Sequence, residues 1–486
     1  MARRSWRNFD YLLLGALLIL SAYGVIMIYS ATINTPGLEN AVQRQIIYIG
    51  VGTVTLLIVA SVDYRLLDLI QHPFATLTPL VLGLGNVALL ITWRMGQMQG
   101  LEGAPTPALF RPDLPAMLTG AALAAAVFLA DRAWIAKLDL VLARLVIVVV
   151  VIGAAAAGAF FLSRLSVPTS FLLVSGLAVV YLLDCLTLRF TDTLRNPIYV
   201  LMLGLLGIVF VIGQVSGGAQ RWLGAGAVQP SELSKMMVIV ALAKFLADHK
   251  DHLEQFATVV MSLGVVAVPM LLIYLQPDLG TALTFVAIWG SMIWMAGTCF
   301  RHLLVLAGSG LAALPLVWLN LEDYMRQRFL LFLSPASAPD SYFNVHQALV
   351  SIGSGGWTGK GLTHGTQSQL HFLRVRHTDF IFAVTAEELG FLGAVVMMGL
   401  LLFVLWRMLR IADRSEDTLG RLIVAGVTAV ILFQSVVNIG MNLGLVPVTG
   451  IPLPFVSYGG SSFITLMLGI GLVESIAMRR RKLEFD

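Results

Sequence analysis

Long apolar segments alternate with short polar turns along most of the chain. Each segment is about long enough to cross the roughly 30 Å hydrocarbon core of a membrane as a helix. The pattern therefore predicts an all-α polytopic membrane protein with about 14 transmembrane helices. The predicted spans are residues 11–30, 45–62, 75–93, 116–130, 145–163, 168–185, 197–214, 233–247, 257–275, 279–298, 302–319, 380–406, 422–443 and 460–478.

Composition supports the membrane interpretation and excludes an ordinary soluble domain. Hydrophobic residues make up 58% of the chain and charged residues 12%, whereas a soluble domain has about 25% charged residues. The net charge of +4 does not indicate nucleic-acid binding, because the basic residues lie in turns between apolar segments. The first apolar segment is too long for a signal-peptide core and lacks a convincing cleavage site, so it is predicted to be a retained span.

The distribution of positive charge predicts the orientation of the chain. With the segment "MARRSWRNFD" on the inside, most Lys and Arg residues fall at cytoplasmic ends of spans, as the positive-inside rule expects. Both termini are therefore predicted to be cytoplasmic, including the basic tail "RRRKLEFD". Cys185 and Cys299 then lie where thiols stay reduced, so neither a disulfide framework nor a thiolate metal site is expected.

The longest polar segment, about residues 320–379, is predicted to be extracytoplasmic and ordered. Loops of this length in a compact fold are usually functional or disordered, and this one contains aromatic and amphipathic segments that can pack. Arg326 and Arg328 have the chemistry to bind a phosphate, and Asp340 is the sole carboxylate of residues 324–378. The glycine-rich "GSGGWTGKG" is not a Walker A loop, because it lacks the spacing of that motif.

Several ionisable residues open the next apolar run, in "HTDFIFAVTAEELG". An ionisable group at membrane depth costs a few kcal/mol, so such groups usually face a bundle interior or a wet cavity. On a helix that begins near His377, Asp379 would share a face with small residues, and Glu387 and Glu388 would lie deeper. Each carboxylate alone has an ordinary interpretation as a helix cap or an arginine partner. Together they predict a polar cavity.

Two further turns at the outer ends of predicted spans carry charge. The segment 216–235 contains Arg221 and then begins a helix with proline and serine, which is ordinary capping chemistry. Lys235 in the first turn of that helix opposes the helix dipole. We therefore expect it to have an anionic partner, either Glu232 or a phosphate, with the internal pair favoured. Asp278 lies between two spans and is expected to cap a helix.

Other enzyme signatures are absent from the sequence. It contains no HExxH motif, no nucleophile elbow and no metal-ligand cluster, so protease and hydrolase functions lack their minimum parts. The Gly- and Pro-rich segment 444–462 predicts irregular backbone, which is tolerated at membrane depth only where protein or water covers it.

A series of sequence blocks points to one family. The blocks are "YSAT" (29–32), "GGAQRWL" (217–223), "QPSELSK" (229–235), "QPDLGTAL" (276–283), "IGSGGWTGKG" (352–361), "HGTQSQLHFL" (364–373), "HTDFIFAVTAEELG" (377–390) and "NIGMNLGLVPVTGIPLPFVSYGGSS" (438–462). In this order they resemble the SEDS family (shape, elongation, division and sporulation), the RodA/FtsW type of peptidoglycan glycosyltransferase. The "GTQSQL" block is closer to the RodA elongation branch.

The resemblance implies a core of about ten helices, with about four inserted spans of unassigned role. The predicted regions are 1–70, the first two core helices; 71–195, the insertion; 196–319, core helices; 320–379, the extracytoplasmic catalytic loop; and 380–486, the last core helices and a basic cytoplasmic tail.

The resemblance also implies a substrate, a partner and a set of site residues. The protein would polymerise lipid II into glycan strands at the outer face of the bacterial inner membrane, with a class B penicillin-binding protein, a transpeptidase, as partner. The catalytic aspartate proposed for the family aligns with Ala338, so the role is assigned to Asp340, two positions later. The substrate-binding candidates are Arg221, Glu232, Lys235, Asp278, Arg326, Arg328, Gln347, Lys360, Gln369, His377, Asp379, Glu387 and Ser457.

The resemblance requires no cofactor, and a divalent cation, Mg²⁺ or Mn²⁺, is the one candidate that could help the basic side chains to hold the pyrophosphate. Two other functions also fit the sequence. A flippase for a lipid-linked cell-wall precursor fits because many spans with buried carboxylates suit alternating access. A non-catalytic scaffold for a transpeptidase would be favoured by the displaced aspartate.

Overall fold

The computed structural model describes residues 6–33, 35, 38–66, 196–212, 214–216, 219–222, 229–320, 323–333, 339–370, 372–373 and 375–479. Cys185 and the spans predicted at 75–93, 116–130, 145–163 and 168–185 lie outside these residues.

Helices make up nearly all of the regular structure in the described ranges. They are α1 (Tyr11–Thr32), α2 (Ala41–Ser61), α3 (Pro197–Ile212), α4 (Pro230–Asp248), α5 (Phe256–Tyr274), α6 (Leu279–Met295), α7 (Phe300–Asn320), α8 (Asp323–Leu333), α9 (Pro339–Ser354), α10 (Thr366–Gln369), α11 (Ile381–Glu388), α12 (Gly390–Asp413), α13 (Thr418–Asn442) and α14 (Gly460–Met478). Short 3-10 helices cover Trp6–Asn8 and Lys250–His252. The strands β1 (Gln214–Ser216) and β2 (Ala219–Trp222) form an antiparallel hairpin.

The helices confirm a membrane protein with several spans. Within the described ranges, six helices are long and apolar enough to cross a membrane: α1, α2, α5, α12, α13 and α14. Shorter apolar stretches occur in α3, α6 and α7. Each span predicted in the described ranges coincides with one helix, except 380–406, which contains two. The total of about 14 spans stays a prediction.

The chain divides into two compact units, each described here by itself. One unit consists of Met1–Leu66 and Ala227–Asp486, and the other of Leu67–Gly226. The described part of the second unit is α3 and the β-hairpin, which contains Arg221. Apart from Arg221, the candidate site residues belong to the first unit.

The core of the first unit lies around α13 and α14, which are largely buried, whereas α2 is largely exposed. Helix α13 packs against α4, α6 and α12, and α14 packs along α2. Small residues allow this last approach, because a Cβ at Gly471 would lie 2.9 Å from the backbone oxygen of Leu56 in α2. Glycine at a helix contact is a usual device for close packing in membranes.

The predicted helix from His377 through the next apolar run is wrong in two respects. Residues 375–380 form turns, and α11 begins only at Ile381. The helical run then breaks after Glu388, and α12 begins at Gly390, whose φ of 66° lies in the left-handed region that glycine favours. Asp379 therefore precedes the helix instead of sharing a face with its small residues.

The glycine-rich segment 355–361 fills this break. At the end of α11, the carbonyls of Glu387 and Glu388 accept hydrogen bonds from the N–H groups of Lys360 and Gly361, at 3.0 and 2.9 Å. At the start of α12, the N–H groups of Phe391 and Leu392 donate to carbonyls of the same segment, at 2.9 and 3.1 Å. The segment thus satisfies backbone groups that a helix break would leave without partners.

Gly355 allows this segment to approach α11. A Cβ at Gly355 would overlap the carbonyl oxygen of Ala386, whereas a Cβ at Gly353, in α9, would meet no atom within 4 Å. The glycine at 355 is therefore required by the backbone of α11, and the glycine at 353 is not.

We predict that Gly355→Ala destabilises the protein by about 1–3 kcal/mol or more, the usual cost of overpacking. The matched control is Gly353→Ala, expected to be neutral or stabilising by up to about 1 kcal/mol because alanine is the better helix former. Apparent unfolding temperatures of the purified proteins in detergent test the pair. Equal temperatures for the two variants would contradict the assigned role of the segment.

Candidate functional site

Glu387 is fully buried at the end of α11 and is surrounded by hydrogen-bond donors. Its Oε1 accepts hydrogen bonds from Lys360 Nζ at 2.9 Å, Gln367 N at 2.9 Å and Thr366 Oγ1 at 3.2 Å. Its Oε2 accepts one from Ser368 N at 3.2 Å. Lys360 also forms an ion pair with this carboxylate. One buried charge thus organises the backbone of α10 and the segment before it.

Glu388 is equally buried but has neutral donors. Ser30 Oγ in α1 donates to its Oε2 at 2.5 Å, and Thr363 N donates to the same oxygen at 3.2 Å. Ser368 Oγ donates to Oε1 at 3.2 Å. Gln369 extends this contact, because its Nε2 donates to the Ser30 carbonyl at 2.9 Å. Glu388 therefore connects α1, α10 and α11.

The carboxylates of Glu387 and Glu388 both accept hydrogen bonds from groups of the protein itself. Their oxygens brace residues 360–369 against α1 and α11. The sequence had suggested that these residues face a polar cavity, but the cluster is closed by its own hydrogen bonds. Ser30, Thr363 and Ser368 were not among the predicted site residues, although Ser30 and Ser368 lie inside family blocks and Thr363 lies beside one.

A second group of candidates surrounds the α13–α14 loop, residues 443–459. Ser457 Oγ donates to the Thr378 carbonyl at 2.6 Å and accepts from Leu453 N at 2.8 Å. Tyr458 N donates to the His377 carbonyl at 3.0 Å. The loop thus holds the turn that carries His377 and Asp379.

Two asparagines of α13 complete this contact. Asn438 Nδ2 donates to the carbonyls of Asp379 and Ile451, at 3.0 and 2.7 Å. Asn442 Nδ2 also donates to the Asp379 carbonyl, at 3.0 Å. Sequence reasoning missed both residues. Their signal was a pair of amides four residues apart, which places them on one face of an apolar helix.

The side chains in the 375–380 turn have perturbed acidity. Burial raises the pKa of Asp379 above its ordinary value, while a hydrogen bond from Thr378 and the charge of Arg328 partly oppose that rise. Burial lowers the pKa of His377, and the neighbouring Arg376 lowers it further. His377 is therefore neutral at pH 7.

Arg376 is itself a residue that the sequence prediction did not select. It is buried, and its Nε donates to the Ala31 carbonyl at 2.6 Å, while Nη2 donates to Thr35 Oγ1 at 2.5 Å. This cation ties the turn to the end of α1.

The third group lies where α4, α6 and α14 begin. Lys235 Nζ donates to Glu232 Oε2 at 2.8 Å, and both side chains are buried. The expected internal pair is therefore confirmed. Asp278 caps α6, as expected, because its Oδ1 accepts from Thr281 N at 3.2 Å.

Gln229 connects this group to the start of α14. Its side chain donates to Asp278 Oδ2 at 3.3 Å, and its backbone N–H donates to Ser461 Oγ at 3.1 Å. Because Ser461 closely follows Ser457, the second and third groups meet at the α13–α14 loop.

An open groove lies beside this loop. Its volume is about 490 Å³, and Arg328 and Asn344 supply its polar side chains together with Gln327. Val345, Leu349 and Phe380 belong to its apolar wall, as do several residues of the α13–α14 loop. Arg328 Nη1 donates to the carbonyl of Val448 at 3.2 Å, which fixes the cation at the groove.

A second groove of about 220 Å³ continues from the first, and Arg328 lines both. Its other walls are largely apolar, with Leu279, Leu283, Phe329 and Phe433. The two grooves, called here the Arg328 groove, therefore combine a cation with long apolar walls. That combination suits an amphiphile with an anionic head.

The remaining candidate residues either do not line this groove or have side chains that the structure does not describe. Arg326 lies on α8, and its Nε donates to the carbonyl of Trp318 in α7 at 3.1 Å. Gln347 lies half-exposed on α9. Asp340 is the second residue of α9. The side chains of Arg221 and Asp340 lie outside the described part of the structure.

Among the residues that the structure describes, no group of three or more His, Cys, Asp or Glu side chains could hold a metal ion. These residues do not fit the Mg²⁺ or Mn²⁺ considered above, and no step below depends on a cation. Cys299 is a free, exposed thiol.

Similarity to known proteins extends over more than half of the chain. A family model for FtsW, RodA and SpoVE, described as "Cell cycle protein", matches residues 132–482. That range includes part of the segment predicted to be an insertion. The chain is 40% identical over 314 residues to the peptidoglycan glycosyltransferase MrdB of Escherichia coli (strain K12), covering 63% of this chain and 84% of MrdB.

Two further similarities concern a sporulation protein and a solved structure. Stage V sporulation protein E of Bacillus subtilis (strain 168) is 35% identical over 318 residues, which cover 64% of this chain and 86% of that protein. A chain of a structure described as "Structural coordination of polymerization and crosslinking by a peptidoglycan synthase complex" has a TM-score of 0.61 at 24% identity, covering 97% of this chain and 98% of that one. This last likeness supports the fold.

The hydrogen-bond directions in the carboxylate cluster predict opposite outcomes for two adjacent substitutions. In Glu387→Gln, either orientation of the new amide turns an NH₂ group toward donors, either Lys360 and Gln367 or the backbone of Ser368. A buried donor without an acceptor costs about 1–3 kcal/mol. We therefore expect Glu387→Gln to lower the apparent unfolding temperature clearly.

Glu388→Gln is the matched control. Its NH₂ group can replace Oε1 and donate to Ser368 Oγ, which itself donates to the Gly365 carbonyl at 3.1 Å. The remaining oxygen still accepts from Ser30 and Thr363. This variant is expected to stay within about 1 kcal/mol of the parent. A greater loss for Glu388→Gln than for Glu387→Gln in thermal unfolding would refute the assigned hydrogen-bond pattern.

Proposed function

The chain belongs to the FtsW, RodA and SpoVE family, which is the SEDS family that its sequence blocks resemble, and from this membership we propose that it is a peptidoglycan glycosyltransferase. It polymerises lipid II into glycan strands for cell elongation, at the outer face of the bacterial inner membrane. The observation that carries the proposal is the Arg328 groove in a chain 40% identical to MrdB.

The shape of the groove supports lipid II as the substrate. Lipid II has a long polyprenyl tail, a pyrophosphate and a disaccharide with a peptide. The apolar walls of the second groove suit the tail, and Arg328 at the junction suits the pyrophosphate. An arginine can bind two phosphate oxygens at once. The wider first groove then receives the sugars beside Asn344.

The general base is assigned to Asp340. It lies one helical turn before Asn344, which lines the groove, and residues four apart share a helix face. Asp340 removes the proton of the acceptor 4-hydroxyl as that oxygen attacks the donor anomeric carbon. The new glycosidic bond forms with inversion, the bond to pyrophosphate breaks, and the pyrophosphate leaves with its electron pair.

Arg328 stabilises the negative charge that develops on the leaving pyrophosphate. Fixed cations directed at developing charge are usually a large term in catalysis. The hydrogen bond from Arg328 to Val448 holds the guanidinium in place before substrate arrives.

Two ion pairs, Glu232–Lys235 and Lys360–Glu387, have a positioning role in this proposal. Glu232 and Lys235 form an ion pair with each other and do not line the Arg328 groove. They hold the start of α4, next to Gln229 and the α13–α14 loop. Lys360 and Glu387 hold the segment that follows α9, the helix that carries Asp340.

A class B penicillin-binding protein is the proposed partner. A glycan polymerase joins sugars and does not form the peptide cross-links between strands, so its product requires a transpeptidase. The similar fold in a structure described as coordinating polymerization and crosslinking supports this choice. Both termini are proposed to lie in the cytoplasm, which places the Arg328 groove on the outer side.

We predict that Asp340→Ala reduces glycan-chain formation from purified lipid II by a factor of about 10²–10⁴, the usual contribution of a general base. The control is Asp251→Ala, which removes an exposed carboxylate from the 3-10 helix Lys250–His252. It is expected to leave polymerisation unchanged.

One outcome would reject the assigned base, and two others would indicate a different function. Near-normal polymer from Asp340→Ala would remove Asp340 from the mechanism. Leaflet exchange of lipid II without polymer from the parent protein would indicate a flippase. Neither activity from the parent protein, but restored cross-linking by the transpeptidase in its presence, would indicate a scaffold.

A further inference from the structure

A basic pocket lies at the end of the first unit opposite the Arg328 groove. It has a volume of about 250 Å³ between the start of α1 and the end of α12. Its charged lining consists of Asp10 and four arginines, called here the arginine pocket: Arg7, Arg407, Arg410 and Arg414. Asp10 caps α1, which is 22 residues long. At 1.5 Å per residue, the pocket lies roughly 30 Å along α1 from the Ser30 end.

The pocket has an excess of positive charge. Arg407 pairs with Asp10, through Nε at 3.0 Å and Nη2 at 2.5 Å, and Asp10 N donates to the buried Glu474 at 3.0 Å. The four arginines outnumber the two carboxylates, Asp10 and Glu474. In the described part of the chain, Arg7, Arg410 and Arg414 have no carboxylate within ion-pair distance.

Two of the arginines are held in place before any ligand binds. Arg407 is fixed by its contacts with Asp10. The guanidinium of Arg410 lies over the Trp406 ring, 4.4 Å from its centroid. A cation over an indole face is attracted to it, so less conformational freedom is lost when the guanidinium binds an anion.

The rim of the pocket is apolar and faces outward from the helices. Tyr11 and Leu12, which line the pocket, are 63% and 61% exposed, and Trp406 beside it is 45% exposed. Exposed apolar side chains on membrane-spanning helices contact lipid. A ligand in the pocket would therefore meet guanidinium groups and hydrocarbon together, which suits a lipid better than a soluble anion.

From these observations we infer that the arginine pocket binds the phosphate head group of an anionic phospholipid, in the leaflet that meets this end of the helices. Guanidinium groups bind phosphate oxygens in pairs, and basic pockets between membrane helices recognise anionic head groups. The site is separate from the Arg328 groove and does not rest on the proposed polymerase activity. A bound lipid would join α1 to α12 across the pocket.

The test measures lipid binding to the full-length protein. Native mass spectrometry of the detergent-purified protein compares phosphatidylglycerol with phosphatidylcholine of the same acyl chains. We expect the parent protein to prefer phosphatidylglycerol. The double variant Arg410→Gln with Arg414→Gln is expected to bind it roughly 25-fold more weakly, at about fivefold for each arginine near the surface.

The control is a second double variant, which also removes two positive charges from this end of the first unit. Lys250→Gln with Arg301→Gln changes two exposed cations that do not line the pocket. Lys250 follows α4, which begins beside Ser461 at the opposite end of α14 from Glu474. Arg301 lies at the start of α7, shortly after α6, which begins beside Gln229. This control is expected to keep the preference for phosphatidylglycerol.

Several results would overturn the inference. These are equal binding of the two lipids by the parent protein, unchanged binding by the Arg410/Arg414 variant, or an equal loss in the Lys250/Arg301 control. Displacement of phosphatidylglycerol by inorganic phosphate at millimolar concentration would show a site for a free anion instead. The lipid preference of the parent protein and its displacement by phosphate are measured without any variant, so they test the inference even if a variant does not fold.

Discussion

The structure depends on one constraint: backbone groups that leave a helix near hydrocarbon must find hydrogen-bond partners within the protein. Two places show it. The break between α11 and α12 is satisfied by the segment 355–361, and the 375–380 turn is satisfied by Asn438, Asn442 and Ser457. These partners are side chains and backbone groups far away in the chain. The irregular segments therefore keep their backbone polar groups paired, as the helices around them do.

The candidate active site follows from the same hydrogen bonds. The α13–α14 loop carries the carbonyl that Arg328 binds, and it holds the turn in which Asp379 lies. Because the loop contacts the turn, α8 and the start of α6 together, it forms one wall of the Arg328 groove. The α13–α14 loop is irregular backbone that needs hydrogen-bond partners within the protein. The same loop shapes one wall of the groove and holds Arg328 there through the Val448 carbonyl.

Charges at the two ends of the first unit have different physical roles. At the end where α4 and α6 begin, Lys235 and Glu232 form a buried ion pair, and Glu387 is a buried carboxylate paired with the half-buried Lys360. A buried ion pair is weak evidence for stability, yet losing one partner is costly, so such pairs specify one arrangement. At the opposite end, Arg410 and Arg414 are exposed and unmatched by acids in the described residues. These cations remain available to an external anion.

The sequence by itself determined the features that depend on neighbours along the chain. The spans follow from membrane thickness, the cap at Asp278 from the residues just after it, and the Glu232–Lys235 pair from a spacing of three. Tertiary structure alone decided that α11 ends at Glu388, that Asn438 holds Asp379, and that Glu388 meets Ser30, 358 positions away. The physical reason is that each of these contacts pairs a polar group with a partner from a distant segment of the chain. The local sequence pattern does not specify which distant segment will pack there.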